Sequence, residues 1–321
     1  MKTILIIVPY FGAFPKMFPF WLHTAYENPS VDFLIVTDNH LNAQGNVKVV
    51  NMQFEELKSK IQELFDFSIT IPSPYKLCDF KGAYGAIFSD YIHDADFWGF
   101  GDIDLVYGNI RTFFTPEILE TYWVISGWGH LTLYKNDEVC NNFFKIYLEG
   151  FQYYKKVFAC PKNSAFDEFN HKGLSDLWKY LYPDKIWDSR LFDDIRVPRL
   201  SFNFISEFHP EYSWNLIFEY HDRHLFRIYN NAHDKIVREE TLYAHFQQRG
   251  FLKIMTTHTD HYLIVPNKFI NMEQVTPLKL KKWTKPNDLY RHIWNQKNRI
   301  KRRLKIICKS LFINNIRNKN V

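Results

Sequence analysis

The chain has 321 residues, of which 46% are hydrophobic and 18% aromatic, so it can fold as one large domain with a sizeable core. Its four cysteines are far apart and form no C-x-x-C pair, which argues against a disulfide framework and a thiolate zinc site. The apolar run at residues 4–8 is shorter than the roughly 7–15 residues of a secretory signal, and no run approaches the ~20 residues of a membrane span. These features predict a cytoplasmic protein with reduced thiols.

The net charge of +5 is distributed unevenly along the chain. Residues 279–321 contain 14 of the 40 Lys and Arg residues and one of the 35 acidic residues, which gives this segment a charge of +13 and leaves −8 on residues 1–278. A basic tail on an acidic body indicates an anionic partner for the tail. We therefore expect a body at residues 1–278 and a basic helical extension at residues 279–321.

Strand and helix patterns alternate in the first half of the chain. The sequence predicts strands at residues 3–8, 31–36, 47–50 and 96–100, with helices at residues 54–65 and from Lys81 to about Tyr91. It also predicts strands at 123–126 and 131–134, a helix at 138–158, and short strands and loops at 161–266. Alternating strands and helices indicate βαβ units, hence an α/β fold with a mixed, mainly parallel sheet flanked by helices.

Three predicted strands end in polar or turn-forming segments, at residues 9–12, 37–39 and 101–104. Ligands of open α/β sheets bind outside the carboxyl ends of strands, so we expect these segments at one rim. On an extended strand Asp102 and Asp104 point the same way, about 6–7 Å apart. Two such carboxylates can share a divalent cation that bridges a diphosphate. The alternative interpretation is a solvated turn.

Five segments together resemble bacterial glycosyltransferases of the GT-A fold. They are Val-Pro-Tyr-Phe-Gly at 8–12, Phe-Leu-Ile-Val-Thr-Asp at 33–38, Tyr-Lys-Leu-Cys-Asp-Phe-Lys at 75–81, Trp-Gly-Phe-Gly-Asp-Ile-Asp at 98–104 and Tyr-Ala-His-Phe-Gln at 243–247. The set is similar to an uncharacterised family associated with surface-polysaccharide biosynthesis. The resemblance implies a GT-A-like, Rossmann-like catalytic domain that moves a sugar from a nucleotide-diphosphate sugar to a saccharide acceptor of capsule, O-antigen or another surface polysaccharide.

The resemblance also implies roles for individual residues. The D-x-D of GT-A enzymes binds Mn²⁺ or Mg²⁺ with the donor diphosphate, which maps onto Asp102 and Asp104. A late histidine often completes that metal site and points here to His245, although one of 13 histidines can equally be a core or surface residue. Imidazole suits Mn²⁺ better than Mg²⁺. The residues that would hold base and ribose are Pro9, Tyr10, Phe11 and Asp38.

Further contacts to the donor are expected from a polar cluster before a predicted helix, formed by Lys76, Asp79 and Lys81. The lysines would contact phosphates near a helix N-terminus, and Asp79 would accept a ribose or sugar hydroxyl. Alternatively, Asp79 caps the helix and the lysines are surface charges. The Lys-Pro-Trp segment that follows the late histidine in retaining galactosyl- and glucosyltransferases is absent, so Arg249 is the candidate for that phosphate contact.

The acceptor side offers carboxylates that could remove a proton from an acceptor hydroxyl, as inverting transfer requires. Asp167 and Glu168 are the first candidates, with Asp193 and Asp194 behind them. A solvated loop pair is the alternative, and retaining transfer needs no such base, so the stereochemistry stays open. Residues 127–130 are expected to form a flexible wall of the acceptor pocket. Trp128 in that wall is either a sugar-stacking or a core residue.

The tail has helical periodicity between residues 287 and 313. Basic residues crowd the positions around an apolar stripe formed by Ile293, Ile300, Leu304, Ile307 and Leu311. Such a helix is typical of binding to an anionic membrane, at about 1 kcal/mol per basic residue, and would bring the enzyme to a lipid-linked acceptor on the inner face of the cell membrane. A solvated helix that packs on the body is the alternative. Nucleic-acid binding is not expected, because the body is acidic and carries no reading module.

Two other function classes compete with glycosyl transfer. Residues 102–106 also resemble the D-x-D-x-[TV] signature of aspartyl-phosphate-type phosphatases, in which Asp102 would be the nucleophile. That signature normally follows the first strand, whereas here it lies about a hundred residues into the chain. The remaining possibility is a non-catalytic, membrane-associated binding module. Turnover of a phosphomonoester and loss of function on Asp102 and Asp104 replacement discriminate between the three.

Overall fold

The computed structural model describes residues 1–188, 191–194, 216–231, 233, 235–246, 252–266 and 268–284, together with residues 296 and 299. These residues form an α/β fold with one seven-stranded, one six-stranded and one three-stranded sheet. The helices of the described part are α1 Phe18–Tyr26, α2 Phe54–Glu63, α3 Tyr84–Ile87, α4 Ile110–Phe113, α5 Pro116–Thr121, α6 Glu138–Asn142, α7 Tyr154–Ala159, α8 Leu174–Leu181 and α9 Pro277–Thr284. Short 3₁₀ helices span Pro74–Ala83, Ser89–Tyr91, Phe143–Lys145 and Pro183–Lys185.

The seven-stranded sheet carries the first half of the chain, in the order β3-β2-β1-β4-β7-β6-β8. Its strands are β1 Ile4–Pro9, β2 Asp32–Thr37, β3 Val47–Asn51, β4 Phe97–Gly101, β6 Val124–Trp128, β7 Leu131–Lys135 and β8 Ile186–Trp187. β1 to β4 run parallel, whereas β7 is antiparallel to both of its neighbours. The predicted strands are confirmed to within a residue or two.

Both faces of this sheet are covered by apolar side chains. Along β1, Leu5 and Ile7 join one buried cluster, whereas Ile4, Ile6 and Val8 join another on the opposite face. This alternation follows from the two-residue period of a strand. A strand buried on both faces reads as a continuous apolar run, which explains why the β1 sequence resembles a short signal peptide.

The predicted helix at residues 138–158 is wrong as a single element. The structure has α6, a 3₁₀ turn, an irregular segment, and then α7. Gly150 lies between them with a φ of +89°, a conformation that ends a helix and suits glycine. The prediction of only strands and loops at 161–266 also missed α8, whose first residues Leu174, Leu177 and Trp178 are buried in the core.

The six-stranded sheet was not predicted as a unit, because its strands are short and its pairing is mostly antiparallel. Its order is β12-β11-β10-β15-β16-β14, with β10 Ile217–His221, β11 His224–Asn230, β12 Ile236–Glu240, β14 Lys253–Ile254, β15 His261–Val265 and β16 Lys268–Asn271. α1 packs between the two large sheets: Trp21 contributes to the core of the first sheet and Phe20 to the core of the second.

The three-stranded sheet links these parts, in the order β5-β13-β9. It consists of β5 Leu105–Tyr107, β9 Asp193–Asp194 and β13 Tyr243–His245. β13 is antiparallel to β5, and this register places His245 opposite Leu105. A residue late in the chain is therefore held beside the segment that follows β4.

α9 crosses the position at which the sequence predicts the body to end and the tail to begin. Leu280 is fully buried with Ile217, Ile228 and Val265 of the second sheet, so the packed fold extends to the end of this helix. Most of the predicted amphipathic tail helix, between residues 287 and 313, lies outside the described residues. In the part of the chain that the structure describes, no helix combines the length and apolar character needed to cross a membrane.

Candidate active site

A cavity of about 770 Å³ opens at the carboxyl ends of β1 and β4. Residues 9–11 after β1 and residues 101–104 after β4 form one part of its wall, as expected for an open α/β sheet. Residues 128–130, 167–169 and His245 form another part, and residues 73–75, 77 and 78 complete it. The cavity is large enough for a nucleotide-sized ligand.

Asp102, Asp104 and His245 come together in this wall. Each offers a ligand atom, and these atoms all lie within 4.8 Å of one another. The Nε2 atom of His245 is 3.6 Å from Oδ1 of Asp104. Asp104 and His245 are buried, and Asp102 is partly exposed. These are the three residues that the sequence selected as a metal site.

Asp102 and Asp104 lie close together, but their backbone geometry differs from the one predicted. Residues 102–104 do not continue β4 but turn from β4 into β5, so their carboxylates lie closer than the 6–7 Å expected on an extended strand. Backbone hydrogen bonds hold this turn. The Asp102 N–H donates to the carbonyl of His130 at 2.9 Å, the Asp102 carbonyl accepts from Nε1 of Trp21 at 3.0 Å, and the Asp104 carbonyl accepts from the Phe246 N–H at 2.9 Å.

Lys81 is the buried cation of the site. Its Nζ atom lies 2.7 Å from Oδ1 of Asp102 and 3.5 Å from Oδ2 of Asp167, and it also donates to the carbonyl of Gly129. It lies 4.9 Å from the centre of the Phe100 ring. Burial alone would lower the Lys81 pKa, but the neighbouring acids outweigh burial and raise it well above its usual value. Lys81 therefore stays charged and bridges the two acids.

Two carboxyl groups of the site, those of Asp102 and Asp167, have raised pKa values. Burial raises the pKa of Asp102; Asp104 adds to this shift and Lys81 opposes it. Burial raises the pKa of Asp167 to about 7, with Lys81 opposing and Glu168 adding to the shift. Perturbed carboxyl groups that line one cavity are typical of functional sites.

Asp167 and Glu168 both line the cavity, in very different surroundings. The Asp167 side chain is 3% exposed, and among the described residues its Oδ1 atom has no hydrogen-bond partner. The Glu168 side chain is 53% exposed. The alternative of a solvated loop pair thus fits Glu168 but not Asp167, because an unpartnered buried oxygen is costly unless something binds it.

Lys76 and Asp79 do not line the cavity, and neither of the two roles considered for them fits their placement. They form a fully buried ion pair, with Nζ of Lys76 2.5 Å from Oδ2 of Asp79. Lys76 also donates to the carbonyls of Val157 and Lys162, at 3.0 and 2.7 Å. Asp79 accepts the backbone N–H groups of two residues in the segment that leads to Asp167, namely Ser164 and Phe166. The pair therefore fixes the loop that presents Asp167.

Replacing Lys76 with methionine is expected to lower the free energy of unfolding by about 3–5 kcal/mol, because it leaves a charged carboxylate buried without its partner. Chemical denaturation measures this. Lys60→Met is the matched control, since Lys60 pairs with the solvent-exposed Asp90 at a similar distance of 2.9 Å and should change the midpoint little. Equal effects of the two substitutions would contradict the structural role of the Lys76–Asp79 pair.

Pro9, Tyr10 and Phe11 line the cavity as predicted for residues near a base and ribose, but Asp38 does not. The Oδ1 atom of Asp38 accepts the Gly12 N–H at 2.9 Å, so Asp38 braces the segment that carries Tyr10 and Phe11. Burial and the proximity of Asp104 raise the Tyr10 pKa. The Tyr10 ring stacks on Phe14 with centroids 5.5 Å apart.

Residues 127–130 form part of a hairpin between β6 and β7, with Trp128 opposite Leu131. A bulge precedes the turn, where Ser126 and Gly127 adopt φ values of +78° and +68°. Trp128 and His130 line the cavity. Gly129 must be small, since a Cβ atom there would lie 2.7 Å from Cγ of Glu168.

The sequence analysis placed His130 in the acceptor wall but missed its contact with His245. Its ring lies 4.5 Å from that of His245, and its Nδ1 atom is 2.6 Å from the Tyr243 hydroxyl. Burial, followed by the proximity of His245 and Lys81, lowers the His130 pKa well below its usual value. His130 is therefore neutral and packs against the candidate ligand. Because Tyr243 and His245 lie over a hundred residues later, no local pattern reveals this contact.

The remaining candidates fall elsewhere. Asp193 is buried in β9, does not line the cavity, and accepts from Oγ1 of Thr241 at 3.0 Å and Nη1 of Arg227 at 3.4 Å. It is thus part of a structural network. The Asp194 side chain and Arg249 lie outside the described residues. Tyr75 lines the cavity and is 61% exposed, a position that the sequence analysis did not single out.

Comparison with known proteins gives distant structural matches and one family. No curated protein matches the chain. Twelve chains of solved structures match, among them the galactosyltransferase LgtC in complex with donor and acceptor sugar analogs, at 9% identity and a TM-score of 0.31, over 60% of this chain and 76% of that chain. A likeness this distant carries no argument about activity. Residues 6–273 match the model of a family of unknown function, DUF6625, and the chain therefore belongs to that family.

Proposed function

We propose that this protein is a metal-dependent glycosyltransferase that uses a nucleotide-diphosphate sugar. The observation that carries the proposal is the convergence of Asp102, Asp104 and His245, with ligand atoms within 4.8 Å, on a cavity of about 770 Å³ at the carboxyl ends of parallel strands. A phosphate-bearing ligand at this rim is what the open α/β arrangement favours.

The three side chains fit a divalent metal by their chemistry. Two carboxylates and one imidazole form a mixed oxygen and nitrogen donor set, which suits Mn²⁺ better than Mg²⁺. A cation bound there would neutralise negative charge on the diphosphate leaving group. The buried position of Asp104 and His245 excludes much of the water that would otherwise screen this interaction.

Lys81 is part of the proposed donor site. Its ammonium group lies 2.7 Å from Asp102 and 3.5 Å from Asp167, so it offsets part of the negative charge that the two acids bring to the site. Lys81 lines the cavity and stays charged, so it can also contact a donor phosphate. Of the three residues in the predicted donor-binding cluster, Lys81 alone keeps a role at the ligand.

Asp167 is the residue that we propose as the general base of an inverting transfer. A base works best when its pKa lies near the working pH, and the Asp167 pKa of about 7 meets this condition. Asp167 lines the cavity, so an acceptor hydroxyl bound there can approach its carboxylate. Glu168 and Tyr75, exposed at the same cavity, would contact the acceptor saccharide.

The partners of the proposed enzyme follow from the same reasoning. The proposed acceptor is a saccharide. A lipid-linked saccharide is within reach if the +13 segment at residues 279–321 holds the enzyme on the anionic inner face of the cell membrane. Surface-polysaccharide synthesis in the cytoplasm is the setting that we propose. Co-sedimentation of the full chain with anionic but not with neutral vesicles would support the membrane location. No co-sedimentation with anionic vesicles would refute it.

Thermal denaturation in the presence of nucleotides tests the proposed activity. A panel of nucleoside diphosphates and their sugar conjugates is added with and without Mn²⁺. One nucleotide series should raise the melting temperature only when Mn²⁺ is present, because a ligand at a hundredfold its Kd stabilises the fold by about 2.7 kcal/mol. The stabilising nucleotide sugar is then tested for release of the nucleoside diphosphate.

The two competing functions predict different outcomes in the same assays. A phosphatase would hydrolyse a generic phosphomonoester, and this hydrolysis would disappear with Asp102→Asn. A binding module would show neither phosphomonoester hydrolysis nor nucleotide-dependent stabilisation. Either pattern would overturn the proposal.

A further inference from the structure

A second group of side chains that could serve as metal ligands lies at the six-stranded sheet. His258 and Asp260 belong to the segment before β15, and His261 is its first residue. All three are exposed, and none of them lines the cavity described above. This group is therefore separate from the proposed glycosyl-transfer site.

The side chains of His258, Asp260 and His261 lie close together. Their potential ligand atoms all lie within 4.8 Å of one another, and the rings of His258 and His261 are 4.7 Å apart. Ligand atoms in a tetrahedral zinc site lie about 3.3 Å apart, given metal–ligand distances of about 2.0–2.2 Å. Exposed side chains can close this difference by rotation, because no core packing restrains them.

The backbone under the group is well fixed. β15 pairs with β10 on one side and with β16 on the other, so His261 stands on a central strand. The His258 N–H donates to Oγ1 of Thr256 at 3.1 Å, and Thr256 is itself buried. The central strand thus positions His261, and the Thr256 contact positions His258.

The pairing register adds another imidazole. His221 of β10 lies directly opposite His261 of β15. Directly opposed residues of antiparallel strands share a face, with Cβ atoms about 4.5–5.5 Å apart. His221 thus borders the site, with its Nδ1 atom 3.0 Å from Oδ2 of Asp222.

Asp260 is arranged as a partner of a metal-binding histidine. Nδ1 of His261 lies 3.0 Å from Oδ2 of Asp260. A cation that replaced this hydrogen bond would find the two atoms close to the spacing of two ligands of one metal.

We propose that His258, Asp260 and His261 form a second metal site, which binds Zn²⁺ or a similar divalent transition metal and is independent of Asp102, Asp104 and His245. Two imidazoles and one carboxylate leave a coordination position for water. The same donor set does not suit Mg²⁺ or Ca²⁺, which prefer oxygen ligands. A cation here would tie the segment before β15 to the second sheet.

Zinc titration of the full chain by isothermal calorimetry tests this proposal. The Asp102→Asn/Asp104→Asn variant serves as the background, so that zinc binding at the cavity does not obscure the result. In that background we expect one Zn²⁺ per chain, and adding His258→Ala/His261→Ala should weaken binding about tenfold or more. Adding His40→Ala/His93→Ala is the matched control, because these two histidines are also exposed but lie outside the group; it should leave the affinity unchanged.

Further arms of the experiment separate the possible outcomes. If the background does not fold, the same two histidine pairs are compared in the wild-type chain, where the zinc stoichiometry should fall by one only with His258→Ala/His261→Ala. Mg²⁺ in place of Zn²⁺ should give no heat from this site. Equal loss of zinc binding with both histidine pairs, or no loss with His258→Ala/His261→Ala, would overturn the proposal. This result does not depend on whether the protein is a glycosyltransferase.

Discussion

Replacing Asp102 and Asp104 together with asparagine is expected to reduce glycosyl transfer by about a thousandfold. Their ligand atoms and that of His245 lie within 4.8 Å, and asparagine keeps the shape of the side chain while removing its charge. Stabilisation of developing charge by one well-placed group contributes about a hundredfold to a thousandfold in rate, and a lost cation removes at least as much. Release of the nucleoside diphosphate measures the rate.

A binding measurement separates lost chemistry from lost folding. The double variant should also lose the Mn²⁺-dependent rise in melting temperature with nucleotide, while keeping its circular dichroism spectrum. Asp66→Asn is the control, because Asp66 is an exposed carboxylate paired with Lys155 at 3.2 Å and lies outside the cavity. Retention of Mn²⁺-dependent nucleotide binding by the double variant would falsify the assignment of these acids as metal ligands.

The Asp167→Asn variant is expected to lose activity and gain stability at the same time. Loss of a general base lowers the transfer rate by about a hundredfold to ten-thousandfold. The folded-state pKa of Asp167 is about 7, against 3.8 for the exposed group, so the folded chain holds a proton that the unfolded chain has released. Wild-type stability therefore falls as pH rises from about 4 to about 7, by up to about 4 kcal/mol.

Asparagine at position 167 stays neutral at every pH, so the stability of the variant should not fall between about pH 4 and about pH 7 as that of the wild type does. Denaturation midpoints at pH 5 and pH 8, measured for both proteins, give the difference directly. The charged groups that act on Asp167 are Lys81, Glu168 and Asp102, and they remain in the variant. Glu168→Gln is the matched control, because its side chain is 53% exposed in the same cavity. A larger rate loss for Glu168→Gln than for Asp167→Asn would exchange the roles of the two residues.

Sequence patterns predicted the parallel half of the fold because burial on both faces leaves a local signature. The runs at residues 3–8, 31–36 and 47–50 contain β-branched residues and end in polar segments, and all three are strands. The predicted helix at 138–158 failed because its apolar residues serve separate short helices around Gly150. Spacing alone does not show where a chain reverses direction.

The candidate site was predictable only in part. Asp102 and Asp104 stand two residues apart, so their proximity is visible in the sequence, although the turn that brings them together is not. Lys81 and Asp79 are equally close in sequence, yet Lys81 faces the cavity and Asp79 forms a buried pair with Lys76. Backbone groups of residues 157–166 hold Lys76 and Asp79, whereas Lys81 contacts Asp102, Gly129 and Asp167.

The sequence by itself determined the α/β class, the positions of the central strands and the acidic pair that follows the fourth of them. Only the tertiary structure decided that His130, Asp167 and His245 meet that pair, and that the second sheet carries its own cluster of histidines. The physical reason is the range of the interactions. Strand burial and adjacent charges act over a few residues, whereas burial of Asp167 beside Lys81 arises from packing between segments distant along the chain.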